Sequence, residues 1–527
     1  MSLIGKFASV GGATMASRVL GFVREALIGA ALGAGPVADA FYAAFGFPNL
    51  FRRLFAEGAF NSAFVPLFAK EVEKGGLDGA RAFAEQVLAV LSAVLLLFSG
   101  LAILFMDGLV ATVVAPLFAD TPDKFAMTVD MTRIMFPYLF CMSLVAMFSG
   151  ILNSLRRYFL AAIVPVLLNV ILVSIVAVAL WLGADPARTG YWMAWGAFAS
   201  GFAQLALLAM GVAREGLRLG IVRPALTPQV RRLLVLMGPA ILTGGVVQIN
   251  IMVGRIIASA QDGAIALLNY ADRINQLPLG VIGIAIGVVL LPELARALAA
   301  GDDRDAQHLQ NRSLEFALGL TLPAAVGFMV MPEPLVNLLY ERGAFTAETT
   351  RLTAQALAAF AAGLPAYVLI KVFQPAYFAR EDMKTPLWFS VVAVAVNIAF
   401  SLAFFAALGH VAIALATAIS AWVNFVLLAF TLWRRNDFRP SPVTLRRVAM
   451  IVLSAAAMGA VVAAMQWALP QWFASPALAA RLAATAGTVL MAMIVYFGLV
   501  ILTGGLDRQD LMRAVRRRRK PPAKPQA

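Results

Sequence analysis

The chain has 527 residues, 61% of them hydrophobic and 13% charged, with 42 Lys and Arg against 28 Asp and Glu for a net charge of +14. Soluble domains carry about 25% charged residues, so the composition excludes a soluble globular protein and describes a polytopic membrane protein. A single cysteine, Cys141, excludes an intrachain disulfide, and two distant histidines, His308 and His410, give no metal-ligand cluster, so no metal is expected. In chain order, runs apolar and long enough to cross about 30 Å of hydrocarbon as helices begin at 5-33, 37-69, 82-110, 127-153, 158-182, 190-212 and 231-258. They continue at 264-297, 309-331, 351-379, 386-407, 411-433, 446-468 and 477-503. That predicts an all-α polytopic membrane protein of about 14 transmembrane helices; the ten-residue alternation of a membrane barrel is absent. The first run holds Gly11, Gly12, Arg18, Arg24 and Glu25, too polar for a signal-peptide core, and is read as a retained first helix.

Loop charge sets the orientation. Counting from an inside N-terminus, 29 Lys and Arg fall in one set of loops and the tail, against four (Lys124, Arg188, Arg342 and Arg351) in the other. Both termini are therefore expected in the cytoplasm, in a multi-pass membrane protein. The basic tail, Arg516 to Lys520, reads as an anchor to anionic membrane lipids, not a nucleic-acid site.

An internal repeat appears at an offset of 228 residues, with Pro137 matching Pro365 and Asn169 matching Asn397. The pattern predicts an N-terminal six-helix lobe at 1-215, a C-terminal six-helix lobe at 225-435, two additional helices at 446-503 and a basic cytoplasmic tail at 504-527. Six crossings return the chain to its starting side, so the two lobes are parallel repeats, an arrangement typical of alternating-access transporters.

Five arginines, Arg18, Arg24, Arg52, Arg53 and Arg273, lie inside these apolar runs. A guanidinium at bilayer depth costs several kcal/mol and faces a water-filled cavity or a partner, so inward arginines point to an anionic substrate. Arg18 and Glu25 are seven residues apart on one helical face and are expected to pair, which leaves Arg24 as the ligand-facing cation. After Pro48, Arg52 is expected in the cavity, while Arg53 and Glu57, four apart, form a helix brace. Asp39 is a gate or charge-pairing residue, with an interfacial helix cap as the plainer alternative. Asn269, Arg273 and Gln276 are expected on one face, with Asp272 pointing elsewhere; Arg255, near a helix end, is expected to snorkel to the interface. The glycine-rich GVIGIAIG, 280 to 287, reads as a helix-packing face. No phosphate-binding loop follows Gly5-Lys6, and no nucleophile with an assembled base is visible, so neither direct ATP use nor enzymatic catalysis is expected.

The segment SRVLGFVREALIGAALGAGPVADAFYAAFGFPNLFRRLFAEGAFNSAFVPLFA, with YADRINQLPLGVIGIAIGVVLLPELA and AREDMKTP, closely resembles the MurJ (MviN) family of bacterial lipid II flippases. The resemblance implies a fourteen-helix member of the multidrug/oligosaccharidyl-lipid/polysaccharide exporter superfamily. Its substrate would be the undecaprenyl-pyrophosphate-linked peptidoglycan precursor, moved from the cytoplasmic to the periplasmic leaflet for cell wall synthesis. Arg18, Arg24, Asp39, Arg52 and Arg273 occupy positions functionally important in that family, and the extra helix pair would form a groove for the lipid tail. Gln276 departs from relatives that carry an acid there. No cofactor is implied; membrane potential or an ion gradient would drive the cycle, the ion being unassigned, and proteins of cell-wall synthesis are further candidate partners. The other readings are a flippase for another polyprenyl-pyrophosphate glycan, a drug antiporter of the same architecture, a non-catalytic scaffold of cell-wall assembly and an intramembrane enzyme acting on lipid phosphates.

Overall fold

The computed structural model describes residues 3–53 and 60–505, with the backbone alone at 3–10, 239–240, 242–243, 281–289 and 291. Regular structure among the described residues is helical throughout. The helices are α1 (Leu3–Leu32), α2 (Pro36–Phe51), α3 (Phe60–Leu104), α4 (Met106–Leu109), α5 (Pro122–Met135), α6 (Tyr138–Ser154), α7 (Tyr158–Trp181), α8 (Pro186–Arg214), α9 (Pro228–Ala258) and α10 (Ala264–Ala299). They continue with α11 (Asp303–Val330), α12 (Pro332–Tyr340), α13 (Ala347–Ala361), α14 (Leu364–Phe378), α15 (Lys384–Leu408), α16 (His410–Arg434), α17 (Pro442–Ala468), α18 (Pro470–Phe473) and α19 (Leu478–Leu502). Start signals in the sequence explain many of the boundaries. Pro186, Pro228 and Pro442 open their helices, and the side chains of Asp185, Thr227 and Ser441 just before them accept from the amides of Arg188, Val230 and Thr444.

Two runs read as single crossings are each one apolar span, Pro122–Ser154 and Ala347–Phe378, interrupted near the middle. The 127-153 run divides into α5 and α6 at Pro137, and the 351-379 run into α13 and α14 just before Pro365, because proline removes a helical donor. Within α3, Gly76 adopts φ 63° and ψ −159°, open to glycine at little cost, and separates two helical stretches. Glu57, the basic tail beyond 505 and the side chains of 281–287 in the glycine-rich segment lie outside the described residues.

Ten helical stretches among the described residues are long and apolar enough to cross a membrane; the remaining helices include α1, α2, α9 and α10. Those four carry or end on the embedded cations Arg18, Arg24, Arg52, Arg255 and Arg273.

Packing divides the chain into two compact units: Met1–Tyr270 with Tyr340–Thr349, and Ala271–Leu339 with Thr350–Ala527. In the first, α1 lies along α7, α7 packs on α8, α6 bridges α3 and α8, α2 packs on α5, and α9 packs on α3. Its core includes Phe64, Phe68, Phe83, Tyr138 and Met147. In the second, α14 joins α11 and α16, α15 packs on α16, and α17 lies between α11 and α19 around Phe373, Tyr377 and Tyr496. Hydrogen bonds fasten the last helix pair to α11: Thr444 and Arg447 donate to Glu315 at 2.7 and 2.9 Å, and Tyr496 donates to the Gly319 carbonyl at 2.6 Å.

Candidate functional site

Arg24, on α1, is 7% exposed and enclosed in a polar network. Its Nη2 pairs with Glu25, and its Nη1 donates to Asn169 Oδ1 of α7 at 3.0 Å. Asn169 in turn donates to the Ser17 carbonyl at 2.9 Å, tying α7 back to α1. Glu25 also accepts from the Tyr42 hydroxyl at 2.6 Å and from the Asn269 amide at 3.2 Å. The acid expected to neutralise Arg18 therefore neutralises Arg24. Seven residues along a helix is about 10 Å, whereas adjacent long side chains can fold together when both are buried. Arg18 is half-buried and pairs with no acid among the described residues. Arg24 Nε is buried without an acceptor, so its N–H is an unused donor.

Along α2, Arg52 Nε donates to Asn49 Oδ1 at 2.9 Å, and Asn49 donates to the Phe45 carbonyl at 2.9 Å. Arg53 is exposed, and its expected brace to Glu57 falls outside the described residues. Arg255 does not snorkel. Its guanidinium lies against Gly46 of α2, where an added Cβ would stand 2.7 Å from Nη2 and closer still to the rest of the group. The reason is that α9 packs within the first unit, so the side chain meets a neighbouring helix instead of the interface.

With a rise of 1.5 Å per residue, Gly46 is about 6 Å and Arg52 about 15 Å along α2 from Tyr42, the residue level with Glu25 and Arg24. The cations thus form a row along α2, with Arg24 at one end, Arg255 between and Arg52 at the other. Phe51, next to Arg52, lines an apolar cavity of about 290 Å³ with Val87, Leu91, Phe98 and Met237, a space suited to hydrocarbon.

Arg273 is half-buried on α10, one turn beyond Asn269, and belongs to the second unit. Gln276 is exposed and donates to Asp272, so Asp272, expected to point elsewhere, is its partner. A spacing of four on an exposed helical face favours that pairing.

The ends of α1, α2, α9 and α10 meet in the first unit around Asp39, which is fully buried. Its carboxylate accepts from Lys124 Nζ at 2.8 Å, from the Gly263 amide at 2.7 Å and from the Ala266 amide at 3.0 Å. The cap alternative therefore holds in kind, but Asp39 caps the first turn of α10, not its own helix. Lys124, counted as a loop charge in the sequence, is 3% exposed within α5; it also reaches Asp262 Oδ1 at 2.9 Å and lies 4.0 Å over the Phe118 ring.

Around this point the backbone itself makes the contacts. Ala344 N donates to the Ala30 carbonyl at 2.8 Å, and the Tyr270 hydroxyl donates to the Gly33 carbonyl at 2.8 Å. Gly33, Gly263 and Gly343 all have positive φ; a Cβ at Gly33 or Gly263 would stand 2.5 Å from a carbonyl oxygen, and one at Gly343 would strike Ala30. Glycine meets both demands at once. Tyr270, Tyr340 and Phe345 pack ring against ring beneath the contact.

Sequence reasoning missed Lys124 and Arg255 as parts of these clusters. A spacing rule sees only partners on the same helix, and both of theirs lie on other elements. Gly46, set among aromatics in FYAAFGFPNLF, was the available signal for a close approach.

The family model "Lipid II flippase MurJ" matches residues 28–483. The chain is 50% identical over 525 residues to "Probable lipid II flippase MurJ" of Rhizobium tropici, covering 99% of this chain and 98% of that one. Among solved structures, it is similar to "Lipid II flippase MurJ, inward closed conformation", with a TM-score of 0.76 and 24% identity over 96% of this chain and 99% of that one. It also shares its fold with an inward-facing multidrug resistance MATE family transporter of the MOP superfamily, with a TM-score of 0.67 and 12% identity over 80% of this chain and 94% of that one. The chain belongs to the lipid II flippase MurJ family.

Proposed function

We propose that the chain is a lipid II flippase of the inner membrane, moving the lipid-linked peptidoglycan precursor from the cytoplasmic to the periplasmic leaflet by alternating access. The observation that carries the mechanism is the row of arginines along α2. A pyrophosphate is far shorter than the roughly 15 Å between the levels of Arg24 and Arg52, so it is handed along the row and not held by every guanidinium at once. Each arginine replaces hydration with charge-assisted, bidentate hydrogen bonds that a hydrocarbon path would deny. Arg52 and Arg255 receive the head group, Arg24 offers its spare Nε donor, and Arg18 adds to the field. The prenyl tail stays in hydrocarbon, with the α17 and α19 pair as its groove.

In the orientation set by loop charge, the glycine contacts and Asp39 lie at the periplasmic end and the structure is closed there. The lobes 1-215 and 225-435 rock about the substrate path, and opening separates the α9–α10 turn from Asp39. Displacing positive charge through the field is worth about 2.3 kcal/mol per charge per 100 mV, so membrane potential drives the resetting step.

The test is reconstitution. Purified protein in proteoliposomes should carry lipid II to the opposite leaflet, faster under an imposed potential and chemically unchanged. No translocation above protein-free vesicles, with the protein folded, rejects the reading. Translocation of an alternative polyprenyl-pyrophosphate glycan in preference to lipid II would reassign the substrate.

A further inference from the structure

Lys124 takes no part in the arginine row, yet at 3% exposure it is more enclosed than Arg24. We propose that Lys124 is a positioning residue for transport, whose ammonium holds Asp39 and Asp262 together and thereby sets how readily the closed end opens. This rests on the flippase reading above.

The geometry is that of a cation between two acids from distant parts of the chain. Asp39 stands on α2 and Asp262 in the α9–α10 turn, and Nζ is within 2.9 Å of an oxygen of each. Gly263 and Ala266, the other donors to Asp39, lie on or just after that same turn. The turn is therefore fastened to Asp39 twice, by its own amides and through the lysine. Phe118 stacks against the ammonium and fixes its position.

The two arms differ in strength. Asp39 is wholly buried, so losing its counter-ion would leave a bare carboxylate in the protein interior. The Asp262 side chain is 83% exposed, so its arm is weak. When the turn lifts away, α2 and α5 remain packed together, and Asp39 retains Lys124. The open state then leaves Asp39 beside its counter-ion, in place to recapture the turn.

The experiment uses the full chain with Cys141→Ser and Ala38→Cys, since Ala38 is fully buried beside Asp39. A membrane-impermeant maleimide added outside proteoliposomes reads opening as labelling rate. Because Asp39 keeps Lys124 in both states, Lys124→Met changes opening through the lost Asp262 arm and should raise that rate about two- to fivefold. Lys124→Arg should recover most of the protection. Asp262→Asn should raise labelling about two- to fivefold, as for an exposed pair, and its position at the surface makes it readable even if Lys124→Met does not accumulate.

Labelling by both variants at the parent's rate overturns the proposal. A control with native Cys141 and no cysteine at 38 tests for general loosening: an equal rise at the buried Cys141 assigns Lys124 to stability alone and also overturns it. Lipid II translocation by the parent is measured on the same vesicles. Its absence, with the labelling pattern intact, rejects the flippase reading while leaving the gate role of Lys124 standing.

Discussion

The helices α1 and α9 stand at matching places in the repeat, about 228 residues apart, yet they are packed differently. α1 lies along α7, where Asn169 joins Ser17 to Arg24. α9 packs on α3 and sends Arg255 to Gly46 of α2. Asn397, the counterpart of Asn169, bonds instead to Thr417 and Ser420 on α16 at 3.2 and 3.4 Å. The turns between the fourth and fifth crossings of each repeat diverge less. Each has a left-handed residue, Arg156 or Glu381, and each is fastened to the end of the sixth crossing, by Arg157–Glu215 at 2.9 Å or by Arg435–Asp382 at 2.8 Å with the charges exchanged. The two turns thus share one scaffold, while the helices around them differ in the partners of their polar residues.

The largest effect expected from this asymmetry is at Arg24. Arg24→Gln with Glu25→Gln removes both buried charges together, so abundance should stay within about twofold of the parent while lipid II translocation is lost. Retained translocation would remove Arg24 from the path. Next come the matched asparagines. Asn169→Ala should cut translocation by about tenfold or more, whereas Asn397→Ala should lower the unfolding temperature by a few degrees, for a lost buried hydrogen bond, with transport reduced by less than about threefold. Equal transport losses at the two positions would erase the functional distinction.

A smaller loss is expected from Gly46→Val, which removes the slot for the Arg255 guanidinium. Translocation should fall by about tenfold or less, because overpacking displaces one cation of the row while the others stay in place. Unchanged transport would show that Arg255 need not lie against α2.

The smallest effect concerns Asp382. Partial burial raises its pKa, but hydrogen bonds from Arg435 and Thr385 outweigh that and hold the carboxyl at about 2, below its ordinary 3.8. The depressed value means that the turn adds stability above about pH 4 and loses it as the pH falls from about 4 to about 2. Thermal unfolding in detergent across that range should show a component that Asp382→Asn abolishes, and identical pH profiles would assign the acid sensitivity elsewhere.

Most of the architecture was legible because hydrophobic runs, proline starts and loop charge are local signals. Pro137 and Pro365 announced the interruptions within two of the predicted crossings. The embedded arginines were equally visible as polar residues in apolar runs. Their partners were not, since Asn169 lies 145 residues from Arg24 and Lys124 lies 85 from Asp39. Helical spacing assigned Glu25 to Arg18 because it weighed facing directions on one helix and could not see α7 supplying a second partner for Arg24.

The three glycines at the closed end bear on the chemistry of the surroundings. Gly33, Gly263 and Gly343 bring carbonyls and α-carbons together without any side-chain charge. Such contacts are indifferent to ionic strength, and the enclosed Lys124–Asp39 pair is screened little; dissolved salt weakens only the Asp262 arm. A contact built in this way is held by forces that dilution or salinity scarcely alters, so its strength stays nearly constant as the medium changes.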